Sequence, residues 1–321
     1  MIDKKRVIVT GGAGFIGSAM VRYLIKNTEH EVMNIDCLTY SGNLSSLAEI
    51  KNSSRYQFVE MNIGNLSDVS KILFDFKPEI IINFAAESHV DKSIESPSIF
   101  FETNVLSTLN FLEAIRIFYE DTACKKDNFF RLHHISTDEV YGDIELEGAP
   151  VDEKRAYNPS SPYAASKASS DHIMRSFHRT YGIPLTISNC SNNYGPYHFP
   201  EKLIPHIIIS SLQGKTLPIY GDGLQIRDWL HVEDHILAIL KIIEKGKIGE
   251  TYNIGGDNEQ NNLFVVNKIC EILDSKINSK PKGIKSFKNL ISFVDDRPGH
   301  DKRYAINSEK IKKELDWFPS V

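Results

Sequence analysis

The fold is decided near the start of the chain, by Val7-Ile-Val-Thr10-Gly11-Gly12-Ala13-Gly14-Phe15-Ile16-Gly17. An apolar run leads into a turn in which glycine recurs at every third position, at Gly11, Gly14 and Gly17. Glycine at these positions lets a strand turn sharply and lets backbone approach the start of a helix closely. The stretch therefore predicts a β-strand, a glycine turn and a helix.

Apolar runs and amphipathic stretches alternate through the first half of the chain. The apolar runs predict strands at Arg6–Val9, Glu31–Ile35, Tyr56–Val59, Glu79–Ala85 and Phe130–Ser136. The amphipathic stretches predict helices at Gly17–Lys26, Asp68–Asp75, Ile99–Glu120 and Ala164–Tyr181. Near-continuous apolar strands separated by helices indicate a parallel sheet with both faces covered. We therefore predict an α/β fold built on a doubly wound parallel sheet, the Rossmann architecture.

The pattern changes after about residue 189. Turn residues become frequent, as in Asn192-Asn-Tyr-Gly-Pro-Tyr-His-Phe-Pro200 and Pro218-Ile-Tyr-Gly-Asp-Gly223. Farther along, Tyr252-Asn-Ile-Gly-Gly256 resembles a strand that returns to the main sheet. We predict a sheet domain at residues 1–188 with a returning segment near 228–256, and a smaller lobe formed mainly by residues 189–321.

Composition and charge narrow the class of protein. The chain has a net charge of −5, which argues against nucleic acid as a main partner. No apolar run approaches the roughly 18 residues of a membrane span, and the N-terminus lacks the features of a signal peptide. The cysteines lack the spacing of a metal site or a disulfide framework, so reduced thiols are expected at Cys37, Cys124, Cys190 and Cys270. We expect a cytoplasmic protein without a metal, a nucleic-acid partner or a membrane partner.

The glycine turn is the first part of a predicted dinucleotide site. Its spacing places backbone beside a pyrophosphate at the positive end of the following helix. Asp36 follows the second predicted strand, 19 residues after Gly17, where a carboxylate can bind an adenosine ribose. The charge of Asp36 would repel a 2′-phosphate. The sequence therefore favours NAD over NADP as the cofactor.

Two further stretches end strands beside this site. Asn83-Phe-Ala-Ala86 closes the fourth strand with small residues at the edge that a bound cofactor passes, which brings in Ala85 and Ala86. Asn62 and Ile63 follow the third strand, and the Asn62 amide could contact the adenine. Asn62 could also be a capping or turn residue.

Tyr163 and Lys167 lie four residues apart and so share one face of a predicted helix. A nearby ammonium, together with the positive ring of an oxidised cofactor, would lower the pKa of a tyrosine from about 10 towards neutrality. The phenolate could then take a hydroxyl proton while a hydride leaves the same carbon. Thr137 offers a hydroxyl that can share the substrate's alcohol with Tyr163. This spacing is common by chance, and the glycine turn upstream makes it informative.

Two adjacent carboxyl groups, Asp138 and Glu139, follow Thr137 at the end of a predicted strand. They could be solvated, or they could cap the next element. In one pocket, neighbouring carboxyl groups push each other's pKa values apart, so that one acts as an acid and the other as a base. Such a pair beside an oxidising cofactor is suited to removing water from a transient ketone.

With these residues in place, the chain resembles the extended short-chain dehydrogenase/reductase family, and within it the branch of nucleotide-hexose 4,6-dehydratases. The similarity runs through nearly the whole length. Besides the glycine turn and Tyr163-Ala-Ala-Ser-Lys167, it is carried by Asp36-Cys-Leu-Thr-Tyr-Ser-Gly-Asn43, Asn83-Phe-Ala-Ala-Glu-Ser-His-Val-Asp91, Ser136-Thr-Asp-Glu-Val-Tyr-Gly142, residues 188–205, Gln225-Ile-Arg-Asp-Trp229 and Asp296-Arg-Pro-Gly-His300.

This resemblance implies a complete reaction on a nucleotide-linked hexose, dTDP-glucose. Tyr163 would take the proton of the hydroxyl on sugar carbon 4 as its hydride passes to NAD. Glu139 would remove the proton on carbon 5, and Asp138 would protonate the hydroxyl that leaves carbon 6. The hydride would return to carbon 6, giving a 4-keto-6-deoxy sugar of deoxysugar biosynthesis, with NAD bound throughout.

The resemblance also implies the binding residues. Those for the cofactor would be Gly11, Gly14, Phe15, Ile16, Gly17, Asp36, Leu38, Thr39, Asn43, Asn62, Ile63, Ala85, Ala86, Thr103, Tyr163, Lys167 and Asn193. Those for the nucleotide sugar would be Ser88, Thr137, Asn192, Lys202, Leu203, Tyr220, Arg227, Asn262, Arg297 and His300. Two of these, Arg227 and Arg297, suit a diphosphate because guanidinium groups bind phosphate oxygens in pairs. A homodimer would form through a four-helix bundle of the helices near 99–120 and 164–181.

The chain departs from the family pattern at two places. Asn62-Ile63 stands where the family usually has Asp-Ile against the adenine. The sequence ends at Val321, short of the helical tail that the family usually carries, so a substrate-contacting residue of that tail is expected to be missing.

Two other functions use part of the same residue set. A nucleotide-sugar 4-epimerase would need the glycines, Tyr163 and Lys167, but no acid–base pair for carbons 5 and 6; Asp138 and Glu139 argue against it. A non-catalytic dinucleotide-sensing protein would need neither Tyr163 nor Lys167, and their presence with Thr137 argues against it.

Overall fold

The computed structural model describes residues 4–121 and 129–321. Its strands are β1 Arg6–Thr10, β2 Glu31–Asp36, β3 Tyr56–Glu60, β4 Ile80–Asn83, β5 Arg131–Thr137, β6 Leu185–Cys190, β7 Asn192–Tyr194, β8 Leu217–Tyr220, β9 Ile226–His231, β10 Thr251–Ile254, β11 Glu259–Asn261 and β12 Ile291–Val294. Seven of them form one parallel sheet in the order β10-β6-β5-β4-β1-β2-β3.

Helices cover both faces of this sheet, and further helices lie beyond it. They are α1 Phe15–Asn27, α2 Leu66–Phe76, α3 Val90–Glu95, α4 Pro97–Phe101, α5 Thr108–Asp121, α6 Pro162–Tyr181, α7 Leu203–Leu212, α8 Val232–Lys245, α9 Asn262–Lys276 and α10 Glu309–Leu315. A π-helical segment, Glu102–Ser107, joins α4 to α5, and 3₁₀ turns occupy Leu44–Leu47, Asp138–Tyr141 and Phe287–Leu290.

Side chains of β1 alternate between two apolar layers. Val7 and Val9 pack with α1 and α8 on one face of the sheet, whereas Ile8 packs with α2, α5 and α6 on the other. Because both faces are buried, each strand is apolar along its length, which is why the sequence shows runs rather than alternation. The predicted doubly wound α/β fold is confirmed.

Most predicted elements agree with the structure to within one or two residues at each end. The strand predicted at Glu79–Ala85 is shorter, because pairing ends at Asn83 and the chain then leaves the sheet towards the site. The predicted returning strand is confirmed: β10 pairs in parallel with β6 at the edge of the sheet. Cys124 lies outside the described residues.

The sequence pattern predicts one continuous helix at Ile99–Glu120, but the structure divides this region into three segments. The structure begins the region with α4 at Pro97 and interrupts it with the π-helical segment before α5. Within that segment the Asn104 side chain bonds the backbone N–H and C=O of Glu87 and the hydroxyl of Ser166. Those contacts tie the helix to the loop after β4 and to α6, and a π-bulge supplies the extra residue that this alignment needs.

The smaller lobe has its own layers. A three-stranded sheet, β11-β9-β7, and a two-stranded sheet, β12-β8, lie beyond the main sheet. A separate apolar cluster holds α7 and α9 against β8, with Ile207, Ile219, Val266 and Phe287 buried in it. The lobe thereby forms a wall beside the carboxyl ends of the main strands.

Candidate active site

A cavity of about 370 Å³ opens at the carboxyl ends of the parallel strands, where the strand order reverses beside β1. Ligands bind at this place in open α/β sheets. Most of the predicted site residues line it: Gly11, Gly14, Phe15, Ile16, Gly17, Asp36, Thr39, Asn62, Ile63, Ala85, Ala86, Ser88, Thr103, Thr137, Asp138, Glu139, Tyr163, Lys167, Asn192, Asn193, Lys202 and Leu203.

The glycine turn has no room for side chains. Gly11 has φ +68°, and a Cβ there would lie 2.7 Å from the backbone nitrogen of Ala85. A Cβ on Gly17 would overlap the carbonyl oxygen of Gly11. Bare backbone therefore faces the cavity at the N-terminus of α1, where peptide N–H groups favour an anion. This cradle fits the pyrophosphate of a dinucleotide.

Asp36 joins the glycine turn to the segment after β2. One carboxylate oxygen accepts from the N–H of Ala13 at 2.9 Å and the other from the N–H of Leu38 at 2.8 Å. The carboxylate lines the cavity and is held rigidly, as a ribose-binding group requires.

Three of the predicted cofactor residues have structural roles of their own. Leu38 and Asn43 are outside the cavity lining, and the Asn43 side chain caps the 3₁₀ turn that follows it by accepting from Ser45 N–H at 3.0 Å. The Asn62 side chain lines the cavity but also accepts from Gly64 N–H at 2.8 Å. The turn role and the binding role of Asn62 are therefore compatible.

Tyr163 and Thr137 lie close together because β5 ends and α6 begins at the same edge of the sheet. Thr137 is the last residue of β5, and Tyr163 lies in the first turn of α6, which Ser161 caps and Pro162 opens. Both side chains are buried. Lys167, one turn farther along α6, donates from Nζ to the carbonyl of Ile135 at 2.8 Å.

Lys167 does not by itself lower the pKa of Tyr163. Burial and the charge of Glu139 raise that pKa well above its ordinary value, although a hydrogen bond with Thr137 opposes them. Burial also lowers the pKa of Lys167. In the protein alone, desolvation of the phenolate outweighs the ammonium. The predicted shift towards neutrality also needs the positive ring of the oxidised cofactor and stays a prediction.

Asp138 is a buried carboxyl with little to stabilise its charge. One oxygen accepts from the Thr137 hydroxyl at 3.3 Å, and the other oxygen has no hydrogen-bond partner. Burial, then the charges of Glu139 and Asp228, raise its pKa well above the ordinary range. Asp138 therefore keeps its proton to a higher pH than an ordinary aspartate does.

Glu139 differs from Asp138 in the charges that face it. Burial raises its pKa, but Arg227, Arg297 and Lys202 all act to lower it. The hydroxyl of Tyr304 lies 3.5 Å from its Oε2. Two adjacent carboxyl groups therefore have different electrostatic surroundings, which is the asymmetry that an acid–base pair needs.

The predicted substrate residues farthest along the chain lie outside the cavity lining: Tyr220, Arg227, Asn262, Arg297 and His300. Arg227 donates to the carbonyl of Asp301 at 3.0 Å, and its guanidinium stacks 4.2 Å from the centre of the Tyr304 ring. Arg297 donates to Asp91 at 2.9 Å, and the Tyr220 hydroxyl approaches the same carboxylate at 3.4 Å. The Asp91 carboxylate thus connects the lobe to the first turn of α3.

Sequence reasoning missed several polar residues of the site, among them Glu201 and Tyr304. Glu201 lines the cavity and forms an ion pair with Lys92 at 3.3 Å, and Nε2 of His89 lies 3.6 Å from the same carboxylate. Glu201 stands beside Lys202, within residues 188–205. Tyr304 reaches Glu139 from the far end of the chain, where no local pattern marks it.

Neither a metal-binding cluster nor a membrane-spanning helix is found among the residues that the structure describes. Residues 4–121 and 129–321 contain no group of three or more His, Cys, Asp or Glu residues that could hold a metal ion. No helix in the same ranges is long and apolar enough to cross a membrane.

Comparison with known proteins places these features in context. Residues 8–321 match the family described as GDP-mannose 4,6 dehydratase. A dTDP-glucose 4,6-dehydratase of Escherichia coli is 53% identical, over 98% of this chain and 89% of its own length. The DesIV dTDP-glucose 4,6-dehydratase of Streptomyces venezuelae, solved with NAD bound, is 40% identical with a TM-score of 0.88, covering 98% of this chain and 92% of its own. A UDP-glucose 4-epimerase of Thermotoga maritima is 27% identical with a TM-score of 0.83, covering 98% and 94%.

Asp138→Asn is expected to stabilise the folded chain at pH 7.5. The folded carboxyl stays protonated where the unfolded chain has ionised, so the native protein loses stability as pH rises from about 4 through the raised pKa. The amide carries no such cost. Urea unfolding of both proteins between pH 5 and 8 should give a stability difference that grows with pH.

Glu139→Gln is the matched control for this measurement. The gain in stability from Glu139→Gln should be smaller than that from Asp138→Asn, because three cationic side chains offset the burial of Glu139. Equal stabilities of native protein and Asp138→Asn across the pH range would contradict a protonated Asp138.

Proposed function

This chain belongs to the GDP-mannose 4,6-dehydratase family, and we infer that it is an NAD-dependent hydro-lyase that converts dTDP-glucose to dTDP-4-keto-6-deoxyglucose and water. The observation that carries this function is the unlike pair Asp138 and Glu139 beside Tyr163. The choice of dTDP-glucose rests on the relatives, which are dTDP-glucose 4,6-dehydratases at about half identity.

NAD fits the glycine cradle and the rigid Asp36 carboxylate. We propose that the backbone of α1 holds its pyrophosphate, that Asp36 holds its adenosine ribose and that Thr103 and Asn193 line its path. When bound, NAD accepts a hydride from the sugar and later returns one. Tight retention is required, because the same molecule serves both halves of the cycle.

Tyr163 begins the reaction as a base in this proposal. Its phenol oxygen takes the proton of the sugar hydroxyl on carbon 4. The Thr137 hydroxyl holds the oxygen of that sugar hydroxyl in place. The raised pKa of Tyr163 means that the protein alone keeps the phenol protonated. A positive charge close to the ring is therefore needed to activate it, and the oxidised nicotinamide carries one.

The two carboxyl groups then divide the elimination between them. Glu139, faced by three cations, is the ionised partner and takes the proton on carbon 5. Asp138, protonated and with one oxygen unpartnered, donates its proton to the hydroxyl on carbon 6, which leaves as water. The Glu139 carboxyl afterwards returns its proton to carbon 5.

We propose that the lobe binds the nucleotide diphosphate. Lys202 lines the cavity, and Arg297 keeps a buried Nε without a hydrogen-bond partner while Nη1 bonds Asp91. Arg227 is held by backbone carbonyls, so its charge is fixed near Glu139. Fixed guanidinium groups suit a diphosphate and simultaneously tune the base. On the same grounds, residues 1–188 are proposed as the NAD-binding domain and residues 189–321 as mainly the sugar-nucleotide lobe.

The epimerase alternative is weaker. Its fold is the same, as the Thermotoga neighbour illustrates, so the fold does not separate the two functions. An epimerase transfers hydride to and from carbon 4 alone and has no use for an acid at carbon 6. A buried, protonated Asp138 would then be a cost without a function.

We propose a cytoplasmic location. Cys37, Cys190 and Cys270 are free thiols, as expected in a reducing compartment.

Incubation of the protein with dTDP-glucose and NAD is expected to yield a 4-keto product that absorbs in alkali. Mass spectrometry should show the loss of one water from the sugar nucleotide. UDP-, GDP- and CDP-glucose serve as the comparison panel. Formation of a galactose isomer without loss of water would instead support the epimerase, and no change in any of the four would contradict both enzymes.

Glu139→Gln and Asp138→Asn are expected to stop the reaction at different points. Each should lower turnover about 10²- to 10⁴-fold, the usual contribution of a general acid or base. In heavy water, Glu139→Gln should lose exchange of deuterium into carbon 5, whereas Asp138→Asn should retain exchange and lose water elimination. Each variant is the control for the other, and identical exchange in both would refute the division of roles.

We propose that two copies of the chain pair through α4, α5, α6 and the π-helical segment. Large apolar side chains are exposed there, with Leu106 56%, Ile99 49% and Phe101 39% exposed. A contiguous apolar patch on a folded protein marks an interaction surface, and two long helices from each copy would form a four-helix bundle.

Leu106→Glu is expected to convert a dimer into a monomer, because it places a charge in the apolar seam. Sedimentation velocity would detect the halved mass. Phe293→Glu is the control, since Phe293 is 57% exposed but lies in the lobe. A native protein that sediments as a monomer, or a dimer that survives Leu106→Glu, would refute this interface.

A further inference from the structure

Four side chains form a stripe along α6 at intervals of four residues. They are Tyr163, Lys167, Asp171 and Arg175, and a four-residue spacing keeps them on nearly one face. Tyr163 and Lys167 face the cavity, whereas Asp171 lies one turn deeper and is fully buried. The stripe therefore extends from Tyr163 and Lys167 into the interior, with a carboxyl group at Asp171 and a second cationic side chain at Arg175.

Lys167 lacks a charged partner on the cavity side. Its ammonium donates to the carbonyl of Ile135 at 2.8 Å and lies 3.4 Å from Nε2 of His134. Burial works against its charge, whereas Asp171 and Cys190 act to preserve it. Since burial raises the pKa of the Cys190 thiol to about 12, that thiol is neutral and Asp171 is the anion.

The tautomer of His134 follows from its neighbours. The Thr10 hydroxyl accepts from Ala85 N–H at 3.4 Å and so donates its proton to Oδ1 of Asn83 at 2.6 Å. The Asn83 amide is thereby oriented with Nδ2 donating to Nδ1 of His134 at 3.0 Å. With Nδ1 as the acceptor, the imidazole proton is assigned to Nε2, which lies 3.4 Å from Asp171 and then cannot accept from Lys167.

Asp171 is held as a carboxylate by two hydroxyl donors, one from β5 and one from the loop before α6, with His134 of β5 close by. Ser136 on β5 donates to Oδ2 at 2.8 Å, and the Tyr157 hydroxyl donates to the same oxygen at 2.9 Å. Nε2 of His134 lies 3.4 Å from Oδ1. Although burial opposes ionisation, His134 and Lys167 hold the pKa of Asp171 below its usual value.

We propose that Asp171 is a positioning residue: it is the buried counter-charge that keeps Lys167 an ammonium and so keeps the pair of Tyr163 and Lys167 in its working charge state. The proposal rests on the role given above to that pair. Asp171 lines no part of the cavity and so acts through neighbours that do, of which Lys167 carries the charge.

Other groups around the pair do not replace Asp171. Arg175 lies on the far side of Asp171, where it bonds the Tyr157 hydroxyl at 2.7 Å and adds positive charge. Neutral His134 adds no charge, because burial lowers its pKa to about 4. From the π-helical segment, Asn104 bonds Ser166 beside the stripe and is uncharged. Asp138 and Glu139 act on Tyr163 rather than on Lys167.

Asp171→Asn tests the charge while keeping the shape. The alkaline limb of turnover with dTDP-glucose should move about 1 to 3 pH units lower, because Lys167 then loses its proton more easily. KM for the sugar nucleotide should be unchanged. A uniform loss of turnover at every pH, with the limb unmoved, would mean that Asp171 is only structural and would overturn the proposal.

A stability measurement keeps the test independent of activity. If Asp171→Asn unfolds more easily, or does not fold, the reason should be the unpaired ammonium beneath the site. Adding Lys167→Met should then restore thermal stability in the double variant. No rescue by Lys167→Met would overturn the proposal, even if the protein proved inactive on every sugar nucleotide.

Asp234→Asn is the matched control. Asp234 is equally buried but belongs to α8, where it accepts from Ser320 and from the N–H of Val321. Its loss should also lower stability, and Lys167→Met should leave that loss unchanged. Rescue of both variants alike would attribute the effect to Lys167→Met itself and overturn the specific pairing.

Discussion

Burial of the Asp138 carboxyl is the constraint on which the site depends. β5 delivers Thr137 to the carboxyl edge of the sheet, and the 3₁₀ turn that follows places Asp138 among buried groups with a single weak hydrogen bond. Burying an unpaired carboxyl group lowers the stability of the folded protein. The large apolar layers on both faces of the sheet offset this loss. A fold that tolerates such a group keeps the carboxyl protonated to a higher pH than an exposed aspartate.

The parts of the site that the sequence predicts are those set by local geometry. The glycine turn requires backbone without Cβ atoms, and Tyr163 and Lys167 need only a helical turn between them. The sheet is predictable for a similar reason, since strands buried on both faces must be apolar throughout. Residues such as Leu38 and Asn43 belong to a recognisable motif, yet the structure turns them towards their own loop.

The sequence does not reveal which residues far apart in the chain contact one another. The π-helical segment arises because Asn104 bonds both Glu87 and Ser166, and the helical pattern around it carries no sign of those partners. Tyr304 reaches Glu139 across 165 residues. The groups that raise the pKa of Tyr163 in the protein alone are hidden from the sequence for the same reason. One charged neighbour could be read from the spacing, whereas the depth of burial and the Glu139 charge could not.

The part of the chain after residue 189 sets the charges around the two carboxyl groups. The cations that favour an ionised Glu139 are Arg227, Arg297 and Lys202, and all three follow residue 189. Asp228 on β9 pushes the pKa of Asp138 upwards. The sheet domain supplies two adjacent carboxyl groups, and the lobe makes them unlike. The redox pair on α6 depends instead on the interior of the sheet domain, through His134 and Asp171. Under the proposed mechanism, the charges around Glu139 come mainly from residues after 189, whereas the charge that supports Lys167 comes from the interior of the main sheet and α6.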